Sequence, residues 1–580
     1  MSNRGLRMSY RRTIGRLKFV LALGISAFFL VACSGGEQSS SASNVTSPSV
    51  GEPVGSLISS GAQQATVGVR FSYDASRAST AFRALRGTSL VYRVSFAPNA
   101  NGLIAAGARI SGVPLAAGTF AVTITASDAT GRNATDVVPV VVGAATPVAL
   151  ASANAAQGAT VGATFHYDAT QGGTAFIGTS LTYAVTFAPN ANGLSSLNGR
   201  ILGVPTAVGI TTATVIATDA SGQSIANAFA IVTFAADLVA PSLPTAPFPY
   251  SDASSPLPLH FAAANAPGGS AIALDNTPVT NRTTDAGATL GRVLFYDRRV
   301  SLNDRVSCAS CHQQQFAFSD TAKLSRGFAG GSTGRHSMGL QNARFYQRGR
   351  FFWDERAATL EAQVLAPIQD ATEMGMTLNN LVIKLSLQPF YAPLFQAAFG
   401  SGDITSDRIG RALSQFVRSL VSGTSRFDQA FTGGVPNFAA ALTAQEVQGQ
   451  QLFTGPAGCA RCHTSNAHVS DDIHNTGLDA TVTDIGAGQG RFKAPSLRNI
   501  AVRAPYMHDG RFSTLDQVVE FYNSGVQANP NLDNRLRGPG GQTQRLNLSI
   551  TEKAAIVSYL RALTDTQFLT SAKYASPFAR

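Results

Sequence analysis

Between residues 61 and 236 the chain runs in short stretches where large apolar side chains alternate with small or polar ones, as in Ser89 to Phe96 and Phe120 to Ala126, with Gly, Pro and Asn between them. Successive side chains of a strand point to opposite faces, so this period of two predicts half-buried strands packed as an all-β sandwich. The pattern occurs twice. Phe96-Ala-Pro-Asn-Ala-Asn-Gly-Leu103 recurs as Phe187 to Leu194, Arg109-Ile-Ser-Gly-Val-Pro114 recurs as Arg200 to Pro205, and Asp128 matches Asp219, all at an offset of 91. Phe71-Ser-Tyr-Asp-Ala75 matches Phe165-His-Tyr-Asp-Ala169 at an offset of 94. Two copies of one unit are predicted, 61–145 and 150–236. The three-residue difference places either an insertion near Arg83 to Arg86 in the first copy or one before Phe165 in the second.

These copies resemble, by pattern alone, the immunoglobulin-like or cadherin-like modules common in bacterial surface proteins, which implies a spacer or a site of adhesion; His166 reads as a strand side chain. Pro241 to Ala286 is dense in Pro, Ala and Ser and marks a linker over 237–286. Beyond it the period becomes helical. Thr443-Ala-Gln-Glu446 and Ser549-Ile-Thr-Glu552 fit capping boxes, Ile556, Tyr559, Leu560 and Leu563 follow at helical spacing, and Leu378 to Phe399 and Ile409 to Leu420 share that period. The C-terminal half is predicted to be mainly α.

At 580 residues the chain holds several compact units. Its formal charge of +11 owes six units to Arg4, Arg7, Arg11, Arg12, Arg16 and Lys18, which leaves +5 for the remainder and no case for nucleic-acid binding. That basic stretch, the 14-residue run Phe19 to Ala32, and Leu30-Val-Ala-Cys33 read as an export signal over 1–33 that resembles the bacterial lipobox, with Cys33 the acylated residue. The alternative is a short uncleaved anchor, although the run falls short of the roughly 20 residues a spanning helix needs. Residues 34–60, rich in Ser, Gly and Pro, suit a flexible tether. The expected location is the bacterial cell envelope, lipid-anchored and facing the periplasm or the cell surface.

Cysteine usage supplies the chemistry. Apart from Cys33, the cysteines form Cys308-Ala-Ser-Cys311-His312 and Cys459-Ala-Arg-Cys462-His463, two copies of the C-x-x-C-H attachment motif of c-type haem. Two thiols add to the two vinyl groups of one porphyrin, and the adjacent imidazole reaches the iron. A zinc site built from all four thiolates would leave both histidines unexplained. Two covalently bound haem c groups are expected.

Around these motifs, from about Leu290 to Leu563, the chain closely resembles the bacterial di-haem cytochrome c peroxidases and their MauG-like relatives. Leu290-Gly-Arg-Val-Leu-Phe-Tyr-Asp297, Phe316-Ala-Phe-Ser-Asp320, Phe352-Trp-Asp-Glu-Arg356, Leu360-Glu361, Pro367-Ile368, Glu373-Met-Gly375, Phe492-Lys-Ala-Pro-Ser-Leu-Arg-Asn499 and Ala504-Pro-Tyr-Met-His-Asp-Gly510 carry the likeness. Glu355 stands where the family has glycine. The resemblance implies two cytochrome-c-like domains, a peroxidatic one over 287–440 and an electron-transfer one over 441–570. It implies an open first haem on His312, a six-coordinate second haem on His463, Glu373 as the catalytic carboxylate, Pro367 over the same distal face and Trp353 as the inter-haem electron carrier. Tyr522, fourteen residues after His508, matches the tyrosine ligand position of MauG-like members; Met507 is the rival, and a core tyrosine the structural alternative.

Two departures change the picture. No histidine lies between His312 and the Arg335-His336 pair, so the loop residue that blocks the first haem in many relatives is missing and a permanently open site is expected. His336 also stands at an asparagine that helps bind calcium in relatives, so a calcium site near His336, Arg503 and Pro505 has only backbone carbonyls to rely on. The leading expectation is reduction of hydrogen peroxide with electrons from a small cytochrome c or cupredoxin. The alternatives are a MauG-like oxidase acting on a protein or organic substrate, and a non-catalytic surface electron-transfer or adhesion protein. A homodimer is left open.

Overall fold

The computed structural model describes residues 55–56, 59–84, 89–470 and 472–578. The expected export signal with Cys33, and most of the tether, lie outside the described residues. The first repeat contains β1 (Gln63–Thr66), β2 (Phe71–Asp74), β3 (Val91–Ala97), β4 (Leu103–Ala106), β5 (Arg109–Gly112), β6 (Gly118–Ser127) and β7 (Asn133–Gly143). One sheet has the order β1-β7-β6-β3, with β1 parallel to β7, and the other β2-β5-β4. The second repeat reproduces this with β8 (Gln157–Thr160), β9 (Phe165–Asp168), β10 (Thr182–Ala188), β11 (Leu194–Leu197), β12 (Arg200–Gly203), β13 (Gly209–Thr218) and β14 (Ser224–Phe234), ordered β8-β14-β13-β10 and β9-β12-β11.

Alternation makes the sandwich. Phe120, Val122, Ile124 and Ala126 of β6 turn inward and meet Ile110 and Phe71 of the facing sheet, each large side chain contributing about 1.5–3 kcal/mol by leaving water. The repeated aspartates build matching turns: Asp128 Oδ1 accepts from Thr130 N and Arg132 N, and Asp219 Oδ1 from Ser221 N and Gln223 N. The pairs β2/β9 and Phe82–Arg83/Phe176–Ile177 lie 94 apart, whereas β3/β10 lie 91 apart. The extra residues therefore belong to the first copy, between Phe82–Arg83 and β3.

The C-terminal region is mainly helical: α1 (Asp285–Tyr296), α2 (Leu360–Gln369), α3 (Leu378–Ser386), α4 (Tyr391–Phe399), α5 (Ser406–Ser419), α6 (Ala444–Thr454), α7 (Leu515–Glu520) and α8 (Ile550–Ala562). Thr443 and Glu446 cap α6, and Ser549 and Glu552 cap α8, in reciprocal capping boxes. Two helix crossings organise the region, α1 on α5 and α6 on α8. Each needs a glycine, because an added Cβ at Gly291 would lie 2.0 Å from Ala412 O and one at Gly449 2.0 Å from Ala555 O. Among the described residues no helix is long and apolar enough to cross a membrane.

The segment after β14 is tied in along its length. Ala235 N donates to Asp304 Oδ2 at 2.9 Å, and Arg298 pairs with Asp237 at 2.6 Å, joining the second repeat to the helical region. Farther on, Tyr250 Oη donates to Lys573 O at 2.6 Å, Asn276 Nδ2 to Ala343 O at 2.9 Å, and His260 meets Asp428 at 2.7 Å. The chain end returns to the first half of the region, where Phe568 and Tyr574 are buried and Gln314 Nε2 donates to Ser571 O at 2.9 Å.

Candidate functional site

Each C-x-x-C-H motif lines its own cavity, the first of about 440 Å³ and the second of about 210 Å³. At the first, residues Cys308–Cys311 form one helical turn capped reciprocally by Ser307 and Ser310, which sets both thiols on one side of the wall. His312 follows, and its Nδ1 lies 2.8 Å from Phe318 O. A carbonyl only accepts, so the ring carries its proton on Nδ1 and leaves the Nε2 lone pair as donor, which is how a metal-ligating histidine is oriented. The carbonyl is held there by two successive left-handed residues, Ala317 at φ 52° and Phe318 at φ 57°. Burial lowers the His312 pKa and keeps the imidazole neutral.

Glu373, Pro367 and Trp353 line the same cavity. Pro367 sits in α2. Beyond the end of that helix, Asp370 Oδ1 accepts from Thr372 N at 2.7 Å and Glu373 N at 3.1 Å, and Glu373 O accepts from Phe328 N at 2.9 Å, so the backbone that presents Glu373 is fixed on both sides. Burial and the Asp370 charge raise the Glu373 pKa, and Arg356 opposes them. This is a half-buried carboxyl on a cavity wall, its raised pKa partly balanced by a nearby cation, suited to exchanging a proton.

The second cavity is lined by Cys459, Cys462, His463, Tyr522 and Met507, with Leu515, Val518, Val519, Ile556 and Leu560 forming much of its wall. Tyr522 lies in a single π turn, Phe521–Gly525, that continues α7; the wider turn redirects one side chain relative to an α-helix, a device common at functional sites. Burial near Cys462 and Cys459 raises the phenol's pKa. Met507, at φ 73°, packs into the same small cluster as Tyr522. The structure thus brings both candidate ligands to one wall.

Trp353 lines both cavities, and its Nε1 donates to His336 O at 2.7 Å. His336 is also common to both; its Nδ1 lies 3.1 Å from Ala322 O and its Nε2 3.3 Å from Ser319 Oγ, so both ring nitrogens are engaged. Sequence reasoning gave no role to Lys493, which borders both cavities with its Nζ 3.9 Å from the Tyr346 ring centre and 4.5 Å from that of Phe351. Burial pulls its pKa down to about 7. It stood inside a quoted motif, but nothing local distinguishes it from a surface lysine.

The residues fit a porphyrin held by thioethers. None of the four described cysteines is in a disulfide, the two pairs stand in separate cavities, and burial pushes Cys308 and Cys459 up to about 12 and Cys311 to about 11. Two pairs of thiols split between two cavities do not assemble the four thiolates of a zinc centre. Two separate centres, each with two thiols and an imidazole, define a two-cofactor redox architecture.

Comparison with known proteins identifies a family. The family described as di-haem cytochrome c peroxidase matches residues 285–435. The methylamine utilization protein MauG of Methylorubrum extorquens is 35% identical over 49% of this chain and 80% of its own length. Cytochrome-c peroxidase IdrP2 of Denitromonas iodatirespirans is 33% identical over 47% of this chain and 80% of its own. A solved MauG-like protein associated with microbial copper homeostasis is 31% identical, covering 53% of this chain and 97% of that one with a TM-score of 0.47. The chain belongs to the di-haem cytochrome c peroxidase and MauG family. It is accordingly an oxidoreductase, and membership implies two c-type haem groups.

Proposed function

We propose that the protein is an exported di-haem peroxidase that reduces hydrogen peroxide to water with electrons from a small cytochrome c or cupredoxin. The observation that carries this reading is Glu373, a half-buried carboxyl with a raised pKa on the wall of the cavity lined by Cys308, Cys311 and His312. When bound, haem would supply iron to cleave the O–O bond and, at the second centre, a store of electrons. Cys308 and Cys311 would hold the first group and Cys459 and Cys462 the second, with His312 and His463 as iron ligands.

Glu373 takes the proton from one peroxide oxygen and returns it to the other, so that water rather than hydroxide departs. Pro367 covers the same face and excludes competing ligands. Trp353, on the walls of both cavities, passes electrons between them. The engagement of both His336 nitrogens supports a first site that stays open. Burial lowers the His336 pKa and the buried Arg503 guanidinium lowers it further; that positive charge weighs against a divalent cation such as calcium beside it.

Tyr522 favours a second reading, the MauG-like oxidase. A phenolate is a hard anionic donor that stabilises high oxidation states, and such a protein would keep two oxidising equivalents for a protein or organic substrate. Glu373 argues against a mere electron relay or adhesion protein. Outside the helical region, Cys33 would anchor the chain by lipid in the cell envelope, and the repeats 61–145 and 150–236 would space the domains 287–440 and 441–570 from the membrane.

Steady-state peroxide turnover with reduced cytochrome c, compared between the parent protein and Glu373→Gln, is the test. Equal rates would remove Glu373 from the mechanism. Peroxide added to the ferric protein without donor separates the two enzymatic readings: a long-lived two-equivalent state supports the oxidase, and rapid decay the peroxidase.

A further inference from the structure

Glu355 occupies a backbone position that favours glycine, with φ at 53°, a conformation L side chains enter only at a steric cost. Its side chain is nonetheless nearly enclosed, at 3% exposure. Arg348 binds the carboxylate through Nε at 2.9 Å and Nη2 at 2.8 Å, and Tyr346 Oη is hydrogen-bonded to Oε1. An ionised carboxylate only accepts, so Tyr346 is the donor. Tyr346 is fully buried, lines the first cavity and faces Lys493 across its ring.

A phenol gives up an electron readily only when its proton leaves with it, and a carboxylate already in hydrogen-bond contact can accept that proton with little rearrangement. Burial shields the ring from solvent that would quench a radical. While Lys493 is protonated, its charge 3.9 Å from the ring centre opposes electron loss, so an equivalent held there would be a strong oxidant rather than a sink.

We propose that Tyr346 is a redox-active residue: it gives one electron to the haem group of the first cavity after hydrogen peroxide has oxidised that group, and its phenolic proton passes to Glu355. The proposal rests on the first cavity holding a haem, as argued above. Hydrogen peroxide is the oxidant: over the full cycle it takes two electrons, and two protons from solvent, to form two molecules of water. One electron comes from Tyr346, whose O–H bond breaks as the Glu355 O–H bond forms, and the other comes from the haem groups. The donor protein later returns two electrons, one to the tyrosyl radical and one to the haem groups, and the proton goes back from Glu355 to the Tyr346 oxygen. In this scheme Glu355 acts through Tyr346 and touches no substrate.

The experiment mixes ferric holoprotein with hydrogen peroxide in the absence of donor, freezes it rapidly and records its EPR spectrum, with and without ring-deuterated tyrosine. The expected result is a radical signal narrowed by deuteration, lost in Tyr346→Phe and strongly reduced in Glu355→Gln, whose neutral amide accepts a hydrogen bond but cannot take the proton. No deuterium-sensitive signal in the parent protein, with two haems per chain by pyridine haemochrome, overturns the proposal without recourse to any variant. So does an unchanged signal in Tyr346→Phe. A haem count below two overturns the haem assignment instead, so the two failures are distinguishable. If Tyr346→Phe does not fold, the deuterated parent spectrum and Glu355→Gln decide: a signal of undiminished size in Glu355→Gln also overturns the proposal.

Discussion

The two cavities start from the same C-x-x-C-H pattern and end as different places. The first is the larger and carries Glu373, Arg356 and Gln363 on its wall; the second is closed in by Leu515, Val518, Val519, Ile556 and Leu560, with Tyr522 and Met507 among them. Attachment chemistry is therefore separate from reactivity. The motif fixes where a porphyrin would be bound, and the residues facing it decide whether a small molecule can react there or only electrons can pass.

The most severe way to break the comparison is to replace Cys308 and Cys311 together by Ala. Pyridine haemochrome absorbance per chain is expected to fall by half and peroxide turnover to vanish, while the second centre keeps its spectrum; loss of both haems would show that the centres are not independent. Next in size, Glu373→Gln is expected to lower kcat/KM for peroxide by about 10²–10⁴-fold, the usual worth of a positioned proton carrier. The same residue sets a pH limit. Glu373 must be ionised to accept a proton, and its pKa is raised by burial and Asp370, so kcat/KM should already decline above the ordinary glutamate value of about 4.3 as pH falls.

A third test concerns the contact between the two halves, where Asp428 meets Arg498. Asp428 is buried, which alone would raise its pKa, yet the Arg498 guanidinium at 2.6 and 2.8 Å and His260 hold it well below the carboxylate range. Because the folded value lies under the unfolded one, this pair stabilises the protein above about pH 3.9 and its contribution is lost as pH falls from there through the depressed folded value. Asp428→Asn, measured by denaturant unfolding, is expected to cost about 3–5 kcal/mol by stranding a buried guanidinium. The smallest effect is expected from Tyr522→Phe: unchanged haem content, an altered low-spin ferric EPR signal at the second centre, and an untouched first one. An unchanged signal would point to Met507.

Local signals carried much of this in the sequence. The duplicated strands, the capping boxes at Thr443 and Ser549 and the two cysteine motifs all depend on residues within a few positions of one another. What stayed hidden depends on distant partners. Lys493 is informative only because Tyr346 and Phe351 enclose it from more than a hundred residues away, and the orientation of His312 comes from a backbone carbonyl that no side-chain pattern reports. Glu355 was visible as a departure from the family's glycine, but its meaning came with the folded neighbours Tyr346 and Arg348. The three-residue offset was readable, and strand pairing was needed to say which copy holds the insertion.

Gly291 and Gly449 have a bearing on how such a molecule can be tuned. The helix pairs that touch at these points also provide wall residues: Phe295, Leu413 and Val417 for one chamber, Phe453, Ile556 and Leu560 for the other. Each bare α-carbon thus works like the pivot of a pair of callipers, setting how far apart two jaws stand at the place where a flat macrocycle would be gripped. A single methyl group at one pivot would spread that pair of jaws and leave the other unaltered, so the two chambers can be adjusted separately.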